Sequence, residues 1–489
     1  MINLPPHVVL LHPHPGPKDR DCHILPLGLL YVAAPLVEAG YAVSAVDQRK
    51  DPEWRRTLKD LVTRRGTVCV GISTMTGPQI AHGLDMAQVV RDAAPDLPII
   101  WGGVHPTLLP EQTARHPLVD IVCFGEGEVA FPPLVDALAQ KSEWRDLPGV
   151  CFKDGPGSVR KNADAKEADL DKVPALPYQI FELEQYKVSA LRSGPSLPLV
   201  TSRGCRFRCA YCYIQEVFKR TWRGLSPDRV IGEFKRLIHE FNAEGVFLLD
   251  DFFFQNRNRA ADILQGLIDH NLKVNLYNAN ARADFLFRST DDYLELMRDS
   301  GIKTLFVGTE AGSDVTLKEM LKDITTEQVL EVNHRLAKVG IQAVYSFMAG
   351  MPGESEEQVM ETLSFMLRLK LDNPGALLYK VCLFVPFPGT EYFNRAESMG
   401  CKFPQTLEGW GSHDYNHVNL SYLSPKFKKF LQKAEEVSAF IDVEGKINGI
   451  FKPVAKAYSK VARYRIRNKA YSFMPELGLI KAARSFQQA

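Results

Sequence analysis

Three cysteines lie within eight residues in the stretch Cys205-Arg-Phe-Arg-Cys209-Ala-Tyr-Cys212. Their spacing is C-x3-C-x2-C, and an aromatic residue, Tyr211, precedes the last cysteine. Iron–sulfur clusters are held by cysteine thiolates, and close spacing lets one loop reach several irons. A [4Fe–4S] cube takes four ligands, so three cysteines leave one iron open to a small molecule. The stretch therefore predicts a catalytic cluster rather than one that only carries electrons.

A zinc site or a set of redox-active thiols is the alternative for the same three cysteines. Zinc usually takes a fourth Cys or His at short spacing. The nearest other cysteines are Cys151 and Cys382, and no histidine occurs between Cys212 and His239. The stretch follows the apolar run LPLVTSRG and precedes a helical pattern, so we expect it in a strand-to-helix turn.

The C-x3-C-x2-C stretch resembles that of the radical S-adenosylmethionine (SAM) enzymes. In that family the open iron chelates SAM, and the reduced cluster cleaves it to a 5′-deoxyadenosyl radical. The resemblance implies that Cys205, Cys209 and Cys212 hold a [4Fe–4S] cluster and that SAM is a cofactor. It also implies a flavodoxin- or ferredoxin-type reductant as a partner.

Length and composition are those of an ordinary globular protein. A chain of 489 residues suggests two to four domains, and 45% hydrophobic and 24% charged residues are usual values. The net charge of +1 gives no reason to expect nucleic acid as a partner. Nine cysteines, three of them clustered, do not form a disulfide pattern. Without a signal peptide or an apolar run of about 18 residues, we expect a cytoplasmic location.

Residues 1–145 alternate short apolar runs with helical patterns. This alternation predicts an α/β fold with a flavodoxin-like, doubly wound parallel sheet. Ligands of such sheets bind beyond the carboxyl ends of the strands. The polar residues and glycines at those ends are Ser73, Thr74, Gly102, Gly103, His105, Gly125 and Glu126.

The pieces PLGLLYVAA, GISTMTG, GGVHPTLLPE and FGEGE resemble the cobalamin-binding domain that precedes one large subclass of radical SAM domains. The resemblance implies cobalamin as a third cofactor and the seven strand-end residues as its binding residues. A flavodoxin-like domain that binds no cobalamin remains the alternative, because glycines at strand ends are common in such domains.

A histidine beneath the cobalt is marked in related domains by the pattern D-x-H-x-x-G. The nearest stretch here is Asp21-Cys22-His23-Ile24-Leu25-Pro26, in which Pro26 stands where the pattern has glycine. We therefore predict that no histidine ligates the cobalt from below.

A linker rich in Gly, Pro and charge is predicted at 146–195, followed by a second region at 196–400. The second region contains six candidate strands, each followed by a helical stretch. This pattern fits the (β/α)6 partial barrel of the radical SAM fold. Residues 401–489 form the last predicted region, which is small, helical and basic.

Polar residues at the barrel's strand ends are candidate SAM ligands, because barrel enzymes place chemistry there. Asp250 and Asp251 end the second strand and could take the SAM ammonium, or could cap a helix. Arg282 ends the third strand and suits the SAM carboxylate, or a salt bridge to Asp284 or Asp250. Glu310 follows the fourth strand and could bind the ribose, or mark a helix start.

The fifth and sixth strands supply the remaining candidates. Gly350 to Glu354 resemble the family's adenine-contacting segment, in which the backbone recognises the base. Tyr379 and Lys380 lie on the sixth strand and are our candidates for catalytic residues that face the substrate.

The chain from Lys446 onward has ten Lys or Arg and one Glu, with Tyr and Phe interleaved. One interpretation is a solvated basic helix that covers the mouth of the barrel. A second is a surface that docks on anionic lipid, which would place the protein at the inner face of the membrane. Nucleic acid is a third interpretation, but no recognition motif accompanies the charge.

About residues 5–400 resemble the cobalamin-dependent (class B) radical SAM family. The resemblance implies methylation of an unactivated carbon in a small, lipid-like or natural-product substrate. Ring-forming or oxidative chemistry without methyl transfer is the first alternative. A cobalamin or iron–sulfur sensor that catalyses nothing is the second.

Overall fold

The computed structural model describes residues 5–16, 24–186, 196–413, 420–443, 452–472 and 474. The predicted Asp21-Cys22-His23 stretch lies outside these residues. The strands of the first unit are β1 (His7–His12), β2 (Ala42–Asp47), β3 (Thr67–Ser73), β4 (Ile99–Gly102), β5 (Ile121–Cys123), β6 (Val150–Lys153) and β7 (Val159–Lys161). Its helices are α1 (Leu27–Glu38), α2 (Trp54–Val62), α3 (Pro78–Ala93), α4 (Val104–Leu108), α5 (Pro110–Ala114) and α6 (Gly127–Gln140).

The seven strands form one sheet in the order β2-β1-β3-β4-β5-β6-β7. Its first five strands are parallel in the flavodoxin-like order, and β6 and β7 add an antiparallel hairpin. Both faces are buried, because alternate residues of β1 enter different cores. Val8 and Leu10 belong to the core on the side of α1 and α6, and Val9 and Leu11 to the core of α2 and α3.

The second unit begins with β8 (Ser196–Leu199). Its other strands are β9 (Ser202–Gly204), β10 (Trp222–Gly224), β11 (Gly245–Leu248), β12 (Asn275–Tyr277), β13 (Ala279–Ala281), β14 (Thr304–Glu310), β15 (Gln342–Ala349) and β16 (Leu377–Leu383). Its helices are α7 (Ile214–Phe218), α8 (Pro227–His239), α9 (Arg257–Asp269), α10 (Ala283–Phe287), α11 (Asp291–Asp299), α12 (Asp314–Glu319), α13 (Thr326–Val339), α14 (Glu356–Asp372) and α15 (Glu391–Ser398).

The barrel strands are parallel and occur in two sheets, β12-β11-β8 and β13-β14-β15-β16. The predicted third strand is divided into β12 and β13 at Asn278, whose φ of 57° is left-handed. Asn tolerates that conformation better than other residues with a Cβ. With β12 and β13 counted as one, six parallel strands confirm the predicted partial barrel. A separate hairpin pairs β9 with β10.

Beyond the barrel lie three further helices, α16 (Leu407–Trp410), α17 (Pro425–Ser438) and α18 (Lys452–Arg467). The first of them packs against α3, where Leu407 and Trp410 complete the core of the first unit. The last packs on α14 and α17. No helix in the described part of the chain is both long and apolar enough to cross a membrane.

The open edge of β16 is covered by α17 and the residues after it. The Ser438 hydroxyl accepts from the Val381 N–H at 2.9 Å, and the Asp442 carboxylate accepts from the Leu378 N–H at 3.0 Å. An edge strand otherwise exposes unpaired backbone donors. The C-terminal region therefore completes the barrel wall.

Replacing Ser438 by Ala should leave the buried Val381 N–H without its acceptor. We expect the free energy of unfolding to fall by about 1–3 kcal/mol, measured by urea titration of the apo-protein. Ser364→Ala is the control, because Ser364 bonds only its own helix on the exposed side of α14. Equal effects of the two substitutions would show that the edge contact contributes nothing.

Candidate active site

The strand ends of the two units face one cavity of ≈ 320 Å³. The first sheet contributes Ser73, Gly102 and Cys123, the last residues of β3, β4 and β5. The barrel contributes Val200 and Leu249, which directly follow β8 and β11. The cavity is thus formed where parallel sheets usually bind ligands, with two sheets opposed across it.

Six of the predicted cofactor-binding residues line this cavity: Ser73, Gly102, Gly103, Gly125, Glu126 and Asp251. Its wall also holds a high proportion of glycine: Gly28, Gly71, Gly102, Gly103, Gly125 and Gly127. A Cβ placed at Gly28 or Gly125 would meet no atom within 4 Å, so both face open space. A wall of bare backbone suits close approach by a broad, flat ligand, and these residues therefore fit a corrin.

A half-buried ion network connects the two units beside the cavity. Arg203, on β9, pairs with Glu128 and, at 3.0 Å, with Glu126; Arg223, on β10, lies 2.7 Å from Glu126. The Arg203 guanidinium also stacks 4.3 Å from the centre of the Tyr31 ring. Burial opposes ionisation of Glu126, but the hydrogen bond from Arg223 and the charge of Arg203 hold its pKa below the ordinary value.

The cysteine loop starts directly after β9 and is fixed through its backbone. The Ala210 N–H donates to the Met320 carbonyl at 2.9 Å, and the Ala210 carbonyl accepts from the Tyr392 N–H at 3.0 Å. The Gln215 amide donates to the Cys209 carbonyl at 2.5 Å. These bonds hold the loop in shape without using the thiols.

None of the cysteines in the described part of the chain forms a disulfide bond. Burial, together with the neighbouring thiols, raises the pKa of Cys205 above its usual value and that of Cys212 to about 12. Iron binding to these thiols would therefore release protons.

Within the described residues, no three His, Cys, Asp or Glu side chains are close enough to share one metal ion. In a four-iron cube each thiolate binds a different iron, so a cluster does not need three ligands gathered around a single ion.

Arg282 lies against the cysteine loop. Its Nη1 is 3.8 Å from the Cys209 sulfur, its Nε is 2.9 Å from the Asp284 carboxylate, and its guanidinium lies 3.5 Å from the centre of the Phe207 ring. Arg282 therefore forms the salt bridge to Asp284 that the sequence offered as an alternative to binding SAM. Its Nη2 donates to the Lys322 carbonyl at 2.5 Å.

Glu310 belongs to a second buried group near the same loop. Its Oε1 accepts from the Tyr211 hydroxyl and from Lys322 Nζ, each at 3.3 Å, and its Oε2 accepts from the Ser346 hydroxyl at 3.1 Å. Its φ of +70° is left-handed, a strained conformation for a residue with a Cβ. Lys322 was not singled out from the sequence, because no motif marks it.

The two aspartates after β11 bind backbone. Asp250 is fully buried and accepts from the N–H groups of Thr201 and Ser202 at 2.5 and 2.7 Å. Burial nevertheless raises its pKa to about 6. Asp251 accepts from the Gly204 N–H at 2.7 Å, directly before Cys205, and also lines the cavity. Both carboxylates thus shape the chain that leads into the cysteine loop.

Gly350 and Glu354 form a closed turn after β15. The Glu354 carboxylate accepts from the N–H groups of Gly350 and Met351 at 2.5 and 3.2 Å. Its other oxygen, Oε1, is buried without a hydrogen-bond partner. Tyr422 donates to the Gly350 carbonyl at 2.6 Å.

Tyr379 and Lys380 lie at a β-bulge. Residues 345 and 347 of β15 pair with residues 378 and 381 of β16, so Ser346 opposes both Tyr379 and Lys380. Tyr379 is 50% exposed and lies 6.0 Å from Phe306, ring centre to ring centre. Lys380 forms an ion pair with Glu435 on α17. Bulges redirect side chains and are frequent beside active sites.

Thr74 and His105 do not line the cavity. His105 is fully buried; its Nδ1 lies 3.0 Å from the Thr76 hydroxyl, and its ring lies 5.7 Å from that of Trp410. Burial lowers its pKa to about 3, so the ring is neutral. The Thr74 hydroxyl is buried without a partner. The structure therefore places His105 beneath Trp410 of α16, and Thr74 beside it, where the Thr74 carbonyl accepts from the His105 N–H at 3.1 Å.

Replacing Arg203 by Ala should leave Glu126 and Glu128 without a shared cation in a half-buried position. We expect a loss of about 3–5 kcal/mol in the free energy of unfolding of the apo-protein. Arg55→Ala is the control, because its pair with Asp85 is exposed and should contribute at most about 1 kcal/mol. A loss no larger than that of the control would contradict a linking role for Arg203.

Glu354→Gln should change how stability depends on pH. Burial raises the pKa of Glu354 to about 8 from 4.5, so the native state holds an extra proton between these values. The free energy of unfolding that depends on Glu354 is therefore highest at low pH, and it falls by about 1.4 kcal/mol per pH unit as pH rises between the two pKa values. From about pH 5 to pH 8, the Tm of the apo wild type should fall relative to that of the variant. Parallel Tm profiles would refute the raised pKa.

Comparison with known proteins identifies both units. The profile of the radical SAM superfamily matches residues 199–366, and that of the B12 binding domain matches residues 21–135. An uncharacterized methyltransferase of Pyrococcus horikoshii is 28% identical over 411 residues, which cover 84% of this chain and 86% of the relative. The anaerobic magnesium-protoporphyrin IX monomethyl ester cyclase of Rubrivivax gelatinosus is 26% identical over 419 residues, covering 84% and 72%.

The fold also matches a solved structure. The cobalamin-dependent SAM radical enzyme OxsB, with aqua-cobalamin bound, has a TM-score of 0.74 at 20% identity, covering 99% of this chain and 75% of that one. The cofactors of the matched domains are a [4Fe–4S] cluster and SAM for the radical SAM domain and cobalamin for the B12-binding domain. The chain is an enzyme with a B12-binding domain followed by a radical SAM domain, the pair of domains that characterises cobalamin-dependent radical SAM enzymes.

Proposed function

We propose that this enzyme transfers a methyl group to an unactivated carbon of a small substrate. The observation that carries the proposal is the single cavity lined by the strand ends of both domains. A methyl donor and a hydrogen-abstracting centre must reach the same substrate carbon, so their sites must face each other. The methyltransferase among the relatives supports the same chemistry.

When bound, the cluster with SAM supplies hydrogen-atom abstraction and the corrin supplies the methyl group. One C–H bond is broken and one C–CH3 bond is formed. Two SAM and two electrons from a reductant are consumed, and S-adenosylhomocysteine, 5′-deoxyadenosine and methionine are released.

The protein's own residues position these groups. Cys205, Cys209 and Cys212 are assigned as the cluster ligands, on a loop that Asp251 fixes at Gly204. Six glycines provide the wall for the corrin.

Arg282, Glu310 and the turn from Gly350 to Glu354 are assigned to SAM. Arg282 is within 3.8 Å of the Cys209 sulfur, and Glu310 is joined through Tyr211 to the same loop. Arg282 and Glu310 are already hydrogen-bonded, so SAM would add to or replace their existing contacts, whereas Glu354 has one buried oxygen, Oε1, without a hydrogen-bond partner. Asp250 supports the site through the backbone, not through a free carboxylate.

Tyr379 and Lys380 are assigned to the substrate. The bulge places Tyr379 and Lys380 opposite Ser346 of β15, whose hydroxyl donates to Glu310. Half of the Tyr379 surface is exposed, and its ring lies next to that of Phe306. Three half-buried residues, Phe306 of β14, Met348 of β15 and Cys382 of β16, lie on these neighbouring strands. Because these side chains are apolar or weakly polar, we favour a substrate whose reacting part is uncharged and apolar.

The first experiment is anaerobic reconstitution with iron, sulfide and hydroxocobalamin, followed by SAM and a reductant. We expect about four irons and one cobalt per chain, with both S-adenosylhomocysteine and 5′-deoxyadenosine formed. If 5′-deoxyadenosine appears without S-adenosylhomocysteine, methyl transfer is refuted and ring-forming chemistry, as in the cyclase relative, takes its place. Failure to form either product would favour the sensor alternative.

Gly28→Leu tests the assignment of the cavity to cobalamin. A leucine there would enter the open space of the cavity, so cobalt and S-adenosylhomocysteine should be lost while iron and 5′-deoxyadenosine remain. Gly232→Leu is the matched control for Gly28→Leu. Gly232 is also in a helix, and a Cβ there would meet no atom within 4 Å. Cobalt binding by the Gly28→Leu variant at the level of this control would place cobalamin elsewhere.

A further inference from the structure

The helix α18 is strongly basic along its whole length. Its sequence, KPVAKAYSKVARYRIR, has six Lys or Arg in sixteen residues and no acid. From Lys446 to the end of the chain there are ten Lys or Arg and one Glu, whereas the net charge of the whole chain is +1. The positive charge is thus concentrated in one element.

The helix has two distinct faces. Its inner face, which includes Ala455, Tyr458, Ala462 and Ile466, is buried. This face packs on α14 and α17, so the helix is fixed lengthwise on the barrel's outer helical layer. Its outer face is exposed and carries Lys456, Lys460, Val461, Tyr464 and Arg467.

Apolar and cationic side chains are mixed on this outer face. Val461 is 40% exposed and Tyr464 is 64% exposed, and the two lie one turn apart beside Lys460. Tyr is enriched where protein meets the headgroup region of a bilayer, because its ring is apolar and its hydroxyl is polar. Large apolar side chains between lysines are unnecessary on a face that only meets water.

The cations of this face are available to an external partner. Among the described residues, none forms an ion pair with Lys456, Lys460 or Arg467. No nucleic-acid recognition motif accompanies this face. Cations and exposed apolar groups on one face of a helix match an anionic lipid surface in both charge and polarity.

We propose that the outer face of α18 docks this enzyme on an anionic lipid bilayer. The cations contact lipid headgroups, and Val461 and Tyr464 enter the interfacial layer. This adds a membrane-facing surface to the enzyme and does not depend on the reaction proposed above.

Flotation of the full-length apo-protein with vesicles tests the proposal. We use vesicles of phosphatidylcholine alone and vesicles in which about a third of the lipid is phosphatidylglycerol. The protein should float only with the anionic vesicles, and binding should weaken as ionic strength rises. Lys456→Ala, Lys460→Ala and Arg467→Ala combined should lower the partition coefficient by on the order of 100-fold.

The matched control is the triple variant K59A/K273A/K338A, which removes three exposed lysines from other parts of the molecule. It should bind anionic vesicles as the wild type does, because only local charge matters. Val461→Ser with Tyr464→Ser should weaken binding with no change of charge. Equal flotation with both vesicle types, equal losses in the two triple variants, or binding of RNA in preference to vesicles would each overturn the proposal.

Discussion

The ion network around Arg203 is the contact on which the active site depends. Arg203 lies two residues before Cys205, yet both of its carboxylate partners belong to the turn that lines the cavity in the B12-binding domain. The pairs are half-buried, so loss of one partner would leave charges in a position that water reaches poorly. The cysteine loop of one domain and the glycine-rich cavity wall of the other are thereby held together.

Around this contact, buried polar groups mostly act on the backbone. Asp250 and Asp251 bind N–H groups between β8 and the cysteine loop, and Glu354 closes its own turn. The cost of burying these carboxylates appears as raised pKa values of Asp250 and Glu354. Such an arrangement leaves the thiols and the glycine wall free for cofactors while the surrounding chain is rigid.

The C-terminal region is part of both domains rather than an appendage. Trp410 and Leu407 enter the core of the B12-binding domain, and Ser438 and Asp442 bond the open edge of the barrel. An incomplete barrel has an edge strand whose backbone needs partners, and helix α17 supplies them. The basic helix α18 then rests on this layer with its charged face outward.

The sequence by itself determined the fold class, the order of the two domains and the cysteine loop, because hydrophobic periodicity and close cysteine spacing are local properties. It also placed Ser73, Gly102 and Gly125 at strand ends, where they line the cavity. Only the tertiary structure decided that His105 packs beneath Trp410, that Lys322 joins Glu310, and that Arg203 pairs with Glu126 and Glu128. These contacts join residues 12 to more than 300 positions apart in the chain, and no local pattern encodes which buried charges meet.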